Sequence, residues 1–330
     1  MIKIIDFTEE HIEQAFIIAR ANYDNERNSV NILPEINEIP DFMPLVKNNL
    51  GVSAFDGEKM AGYLCCFGPF KNAFGTTNDI GVWSPLHGNG LLDYAHKSVY
   101  AKMYQEAAKK WVSLNINNHA ITFYAHNNFI HNQLYRYGFG LRCIDAIRTM
   151  NEIEAKNRVN FTFSELEYSN FELILPLDKQ LRNHLKESPM FLRYEQGDEE
   201  ENNQKRRVYG KNVRYFIAGN DIEIIAYIKI SSEGENFVSE VNSVKNICGA
   251  YCLPEHRGKG IIQNLLNYVI KKLQAENYRL LGVDFESFNP TASGFWLKYF
   301  TEYTHSVVRR IDDRFLKGYY CPSAPVTEGL

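Results

Sequence analysis

Two parts of the 330-residue chain can be laid over one another at a constant offset of 162 residues. Thr122-Phe123-Tyr124-Ala125-His126-Asn127 aligns with Asp284-Phe285-Glu286-Ser287-Phe288-Asn289. Leu134-Tyr135-Arg136-Tyr137 aligns with Trp296-Leu297-Lys298-Tyr299, and Ala146-Ile147-Arg148 with Val308-Arg309-Arg310. Each half also carries a hairpin upstream. Val52–Phe55 turns at Asp56-Gly57 into Ala61–Cys65, and Val213–Ile217 turns near Gly219-Asn220-Asp221 into Ile224–Ile228. Asp-Gly and Gly-Asn between β-rich runs are strong hairpin signals. A repeat this long means duplicated domains, not a solenoid. Each half reads as strand, helix, hairpin, strand, helix, strand, helix and closing strands, an α/β (α+β) sheet covered by helices. The halves are expected at residues 1–150 and 163–330. The linker at 151–162 contains the polar run Glu152, Glu154, Lys156 and Asn157. The charged segment from Gly197 to Arg207 reads as a solvated loop.

Composition narrows the class. Three hundred and thirty residues exceed one typical core, so two domains are expected. The formal net charge of −4 gives no electrostatic case for nucleic acid as the main ligand. No run approaches the ~18 apolar residues of a membrane-spanning helix. The first ten residues are too polar for a signal peptide. The six cysteines, Cys65, Cys66, Cys143, Cys248, Cys252 and Cys321, form no Cys-x-x-Cys pair. They read as free thiols in a reducing cytoplasm, and no metal site is expected.

Chemistry concentrates in one segment. An apolar strand, Ile247 to Leu253, runs into the loop Pro254-Glu255-His256-Arg257-Gly258-Lys259-Gly260. A helix follows, with apolar residues at Ile261, Leu265, Leu266, Val269, Ile270 and Leu273. The two glycines let backbone N–H groups converge, the helix N-terminus adds its positive dipole end, and Arg257 and Lys259 add charge. That is a cradle for a phosphate or pyrophosphate. It is not a P-loop, because Ile261 stands where a magnesium-binding hydroxyl would be. Nor is it a dinucleotide fingerprint, because the glycine series stops at Gly260.

The order strand, Pro, Arg-Gly-Lys-Gly-Ile, helix resembles the acyl-CoA loop of the GNAT acetyltransferase superfamily, Gln/Arg-x-x-Gly-x-Gly/Ala. Arg257 and Gly260 match, and Ile262 replaces the last small residue. Asn289-Pro290-Thr291-Ala292-Ser293-Gly294-Phe295-Trp296 is similar to the family's Asn-x-x-Ala-x-x-Phe-Tyr, with Trp296 in the place of the tyrosine that protonates the leaving thiolate. The resemblance covers nearly the whole chain and implies tandem GNAT-like domains, each a mixed, mostly antiparallel sheet flanked by helices. It implies acetyl-CoA as acyl donor, held by Tyr251, Cys252, Leu253, Arg257, Gly258, Lys259, Gly260, Ile261, Ile262, Asn289 and Trp296. The first half has Val82-Trp83-Ser84-Pro85-Leu86-His87-Gly88-Asn89-Gly90-Leu91 in the corresponding place, with no Arg or Lys. That half is expected to be a degenerate copy that does not hold acyl-CoA. Trp83 and His87 would line a substrate wall or pack a structural loop.

Acetyl transfer to an amine requires a polarised thioester carbonyl, a strand edge for the donor's amides and removal of a proton. An amine of pKa ~10.4 is neutral in only about one part in 2,500 at pH 7. Asp284 and Glu286 lie two apart on a predicted strand and share a face, with Phe285 pointing into the core. Glu286 is the preferred base. The competing reading pairs the two carboxylates with Arg309 or Arg310. His305 is a second candidate base, Tyr251 and Tyr299 are candidate acids, and Cys252 is a weak candidate nucleophile. The expected activity is transfer of an acetyl group to a small-molecule or peptide amine in a ternary complex, with no membrane partner and an oligomer possible. The competing readings are a catalytically silent acyl-CoA-binding or regulatory protein, and transfer of a larger aminoacyl or long-chain acyl group.

Overall fold

The computed structural model describes residues 2–73, 79–92, 98–155, 160–193, 213–220 and 222–316. The charged segment 197–207, Lys156, Asn157, Asp221 and Cys321 lie outside them. In chain order the elements are β1 (Ile2–Asp6), α1 (Ile12–Ser29), α2 (Met43–Lys47), β2 (Val52–Asp56), β3 (Lys59–Leu64), β4 (Phe67–Lys71), β5 (Ile80–Ser84) and β6 (Asn89–Leu91). Then come α3 (Ser98–Ser113), β7 (Asn118–Tyr124), α4 (Asn128–Arg136), β8 (Gly140–Thr149), β9 (Thr162–Leu166) and α5 (Leu175–Lys186). The remainder are β10 (Val213–Gly219), β11 (Ile224–Ser231), β12 (Val244–Cys252), α6 (Ile261–Ala275), β13 (Leu280–Glu286), α7 (Pro290–Trp296), β14 (Thr301–Arg310) and α8 (Asp313–Leu316). Both hairpins form from the expected runs, β2 with β3 and β10 with β11. The fold is mixed α/β.

Two compact units divide the chain: Met1–Asp24, Pro40–Leu141 and Ser306–Leu330 in one, Asn25–Ile39 and Arg142–His305 in the other. This division by contact differs in kind from the sequence repeat, because most of β8 lies in the second unit while belonging to the first repeat. In the first unit β1, β2, β3 and β6 form a four-stranded sheet in the order β1-β2-β3-β6. β5 pairs antiparallel with β4 and parallel with β7. α3 covers β2 and β3, burying Met103, Tyr104, Ala107 and Trp111 in a shared core. Trp111 is wholly buried, so its indole N–H needs an acceptor, and it donates to the Leu50 carbonyl at 3.0 Å.

The second unit has strand order β8-β13-β12-β11-β10-β9. Neighbours are antiparallel except β12 and β13, which run parallel. α6 lies against β10 and β11. All six apolar positions read from the sequence, Ile261, Leu265, Leu266, Val269, Ile270 and Leu273, are buried. At roughly 1.5–3 kcal/mol for each such side chain, that face is ample to hold the helix on the sheet. Leu266→Ala would cost about 2–5 kcal/mol.

Two irregularities in the sheet create the site. β12 and β13 pair from Val244–Leu280 to Ile247–Val283 and then part. Beyond that point β12 continues on β11 to Cys252, and β13 continues on β8 to Glu286. At the same level β11 pairs Lys229 with Gly249 and Ile230 with Ile247, so Cys248 is the extra residue of a β-bulge. A bulge bends its strand and increases the local twist, which opens the wedge between the two strands.

Candidate active site

A cleft of about 500 Å³ lies in the second unit along one lip of that wedge. Its lining comes from β12 (Ala250 to Cys252), the loop and first turn of α6 (His256, Arg257, Gly258 and Gly260 to Gln263), and α7 with its flanks (including Asn289, Thr291, Trp296 and Lys298). α5 contributes Leu181 and His184. Gly258 and Gly260 have φ of +72° and +85°. A left-handed residue costs an L side chain about 1–2 kcal/mol, so glycine suits both places. Gly260 is the N-cap of α6 and has no side chain to cap it. The first-turn N–H groups of this fifteen-residue helix therefore meet the cleft without a side-chain competitor. A Cβ at Gly258 would meet nothing within 4 Å, so the loop is open at that point. These features fit a phosphate-bearing ligand.

Arg257 has a structural task in the loop. Its Nε donates to the Cys252 carbonyl at 3.0 Å and its guanidinium lies over the Tyr251 ring, 5.2 Å from the centroid. Tyr251 is buried and its hydroxyl donates to Gln180 Oε1 of α5 at 3.3 Å. Burial raises the Tyr251 phenol above its ordinary pKa. Asn289 caps α7, accepting from the Thr291 and Ala292 N–H groups. Trp296 is buried against Phe295 and Phe300.

On the other lip, the carboxylates gather. Cross-strand pairing sets Asp284 opposite Asp145 and Glu286 opposite Cys143, all on one face of β13 and β8. Phe285 is buried on the opposite face. Burial, then Glu235 and Asp145, push Asp284 up to about 8. Burial pushes Asp145 up to about 7, against hydrogen bonds from Thr304 and Asn236 that favour its charged form. Glu286 is also raised, chiefly by burial, while Arg142 pulls it down across 3.5 Å. Its Oε2 is buried and has no hydrogen-bond partner. The partner of Glu286 is thus Arg142. Arg309 donates to Tyr104, and Arg310 engages Asp79 and Asp313, so the competing reading that paired the carboxylates with either is corrected.

Residues 179–300 match the acetyltransferase (GNAT) family. They are a GNAT domain. A GCN5-related N-acetyltransferase from Sphaerobacter thermophilus shares the fold over 94% of this chain and 95% of its own, with 9% identity and a TM-score of 0.51. A GCN5-related glucosamine N-acetyltransferase region of a fungal multi-domain GH3 β-N-acetylglucosaminidase matches over 93% of this chain and 38% of its own, with 9% identity and a TM-score of 0.52. A tandem GNAT protein from the clavulanic acid biosynthesis pathway gives 11% identity and a TM-score of 0.45 over 94% of this chain and 98% of its own. No curated protein matches the sequence. Acyl transfer is the class of chemistry that belongs to the family.

Of the donor-site residues expected for the GNAT domain, Tyr251, Cys252, Arg257, Gly258, Gly260, Ile261, Ile262, Asn289 and Trp296 line the cleft, while Leu253 and Lys259 do not. Leu253 is buried and its N–H bonds the Ile225 carbonyl. Lys259 is exposed. Cys252 is buried with its thiol pushed up to about 11, which argues against a thiolate nucleophile. Tyr299 lies outside the lining, its ring 5.2 Å from Phe295. His305 faces Glu302 at 3.2 Å. Leu181 and His184 of α5 went unread in the sequence, and His256 and Lys298 were read only as members of the loop and of the repeat. α5 lies some seventy residues before the loop, and only the folded sheet brings it there.

The first unit treats the corresponding corner differently. Ser84 to Leu91 is buried throughout. The Gly88 N–H closes on the Pro85 carbonyl at 2.7 Å. Asn89 Nδ2 donates to Ser84, Pro85 and Thr122, and its Oδ1 accepts from Tyr100. A Cβ at Gly90 would stand 2.8 Å from Ile18 and 3.0 Å from Asn22 and Tyr63. Burial lowers His87 to about 4, and Trp83 donates its indole N–H to Thr122 at 2.9 Å.

Proposed function

We propose that the chain is an acetyl-CoA-dependent N-acetyltransferase working through its second half, with residues 1–150 a degenerate copy that holds no acyl-CoA and residues 151–162 the linker. The observation that carries this reading is the glycine-turned, uncapped start of α6 opening into the same cleft as the exposed edge of β12. The N–H groups at Gly258 to Ile262 would hold the donor's phosphates, and the β12 edge from Ala250 to Cys252 its amides. When bound, the donor supplies a thioester. A backbone N–H on the parted strand is placed to polarise the carbonyl.

The acceptor amine enters from the carboxylate lip. Glu286 would attract an ammonium, and its raised proton affinity suits acceptance of the proton, with Asp284 and Asp145 keeping the lip acidic. Glu286 is the base on this reading, because its Oε2 has no other partner. The test is thiol release from acetyl-CoA with a panel of primary amines. Glu286→Gln should lower kcat by about 10²–10³ and leave acetyl-CoA affinity intact. Unchanged kcat would reject Glu286 as the base. Tight acetyl-CoA binding without turnover across the panel would favour the silent binding protein, a reading supported by the non-acidic Trp296 in the tyrosine place.

A further inference from the structure

Acyl transfer from a thioester to an ammonium displaces two protons from nitrogen. The first must leave before the amine can attack. The second leaves the nitrogen that has attacked, while the departing sulfur needs one. Glu286 accounts for the first on the reading above. Most cleft groups are unsuited to the second. Trp296 has no acidic proton in range. The Cys252 thiol and Tyr251 phenol are both raised by burial, and the Tyr251 O–H is committed to Gln180. His256 sits on the phosphate loop with its ring against Phe161 at 5.6 Å.

His184 differs. It lies one turn beyond Gln180 on α5, lines the cleft and reaches α7, where its Nε2 is 3.3 Å from Thr291 Oγ1. The Thr291 hydroxyl has one proton, and it is given to Asn289 Oδ1 at 2.7 Å. Only lone pairs remain on that oxygen, so His184 must donate. Nε2 therefore carries the hydrogen and Nδ1 the lone pair. The groups facing the ring favour its neutral form. Burial and the Arg257 charge lower its proton affinity, and Glu187 opposes them. Tyr251 and Lys298 complete the cleft wall.

We propose that His184 is the proton carrier of the reaction, with Asn289 and Thr291 as positioning residues that set its tautomer. Nδ1 takes the second proton from nitrogen as the C–N bond forms. The same proton passes to sulfur as the C–S bond breaks, leaving amide, thiol and neutral imidazole. With the first proton on Glu286, atoms and charge balance. The inference rests on the acyl-CoA reading.

The experiment uses the full chain with ¹⁵N-labelled histidine, acetyl-CoA as donor, and water or benzylamine as acceptor. The expected His184 signal is the Nε2–H tautomer, shifting on saturation with acetyl-CoA, and Thr291→Val should abolish the tautomer preference. His184→Gln should cut thiol release by about 100-fold, with acetyl-CoA affinity by calorimetry within about threefold of wild type. Added imidazole should restore His184→Ala in proportion to its neutral form, which a merely structural role would not produce. An Nδ1–H tautomer, a signal indifferent to bound acetyl-CoA, or a His184→Gln variant as fast as wild type would overturn the proposal while the acyl-CoA reading stands. Failure of the wild type to bind acetyl-CoA would remove that reading, and the proton-carrier role with it, even with the tautomer as derived.

Discussion

The two equivalent corners of this chain, Ser84 to Leu91 and Leu253 to Ile262, solve opposite problems with similar glycine content. In the first unit the glycines admit neighbouring side chains, and the corner is filled by Ile18, Asn22, Tyr63 and Pro85. In the second they turn the backbone towards open space at the start of a helix. On the proposed duplication, both copies keep their strands because burial demands them. Of the two corners, the one at Leu253 to Ile262 faces outward. Glycine alone does not signal a ligand site; what a Cβ would meet distinguishes the two uses.

That contrast is open to measurement. Gly90→Ala should destabilise the protein by about 1–3 kcal/mol through overpacking. It should leave acetyl-CoA affinity unchanged in the folded fraction, read by thermal melting and calorimetry. A neutral Gly90→Ala would show that the first corner can yield after all.

Titration should separate the units next. Burial lowers His87 and His119 to about 4. Groups depressed in the folded state take up more protons when unfolded, so stability falls as pH drops from about 6.5 to 4. Asp284 and Asp145 run the other way. Raised to about 8 and 7, they hold protons in the folded state, and stability falls as pH rises from about 4 to 8. Asp284→Asn should flatten the alkaline side of the stability profile, and His87→Gln the acid side. Identical profiles for the variants and wild type in denaturant melts would contradict the assignment. The smallest effect is expected from Gly258→Ala. With free space for the methyl, it should cost about 1 kcal/mol of backbone strain and weaken acetyl-CoA binding by up to about tenfold.

Much of this architecture was readable in residues. The spacing of Ile261 to Leu273 marked one helix face, and Asp56-Gly57 marked a hairpin, because both depend on neighbours in sequence. The loop 257–262 declared its chemistry because glycine, charge and a helix start are local properties. Partners set by cross-strand register were hidden. Asp145 and Arg142 come to Asp284 and Glu286 from about 140 residues away through β8. His184 reaches Thr291 only because α5 crosses to α7. Arg257, read as a phosphate ligand from its charge, uses its Nε to hold the Cys252 carbonyl.

The most direct measurement is calorimetric titration of acetyl-CoA into the wild type and into Arg257→Glu, Lys259→Glu, with thermal melting to confirm that the variant folds. The account predicts micromolar binding of one equivalent by the wild type, lost by at least about 100-fold in the folded variant. Wild-type affinity in the variant, or no binding to either protein, would contradict the placement of the acyl donor at the start of α6.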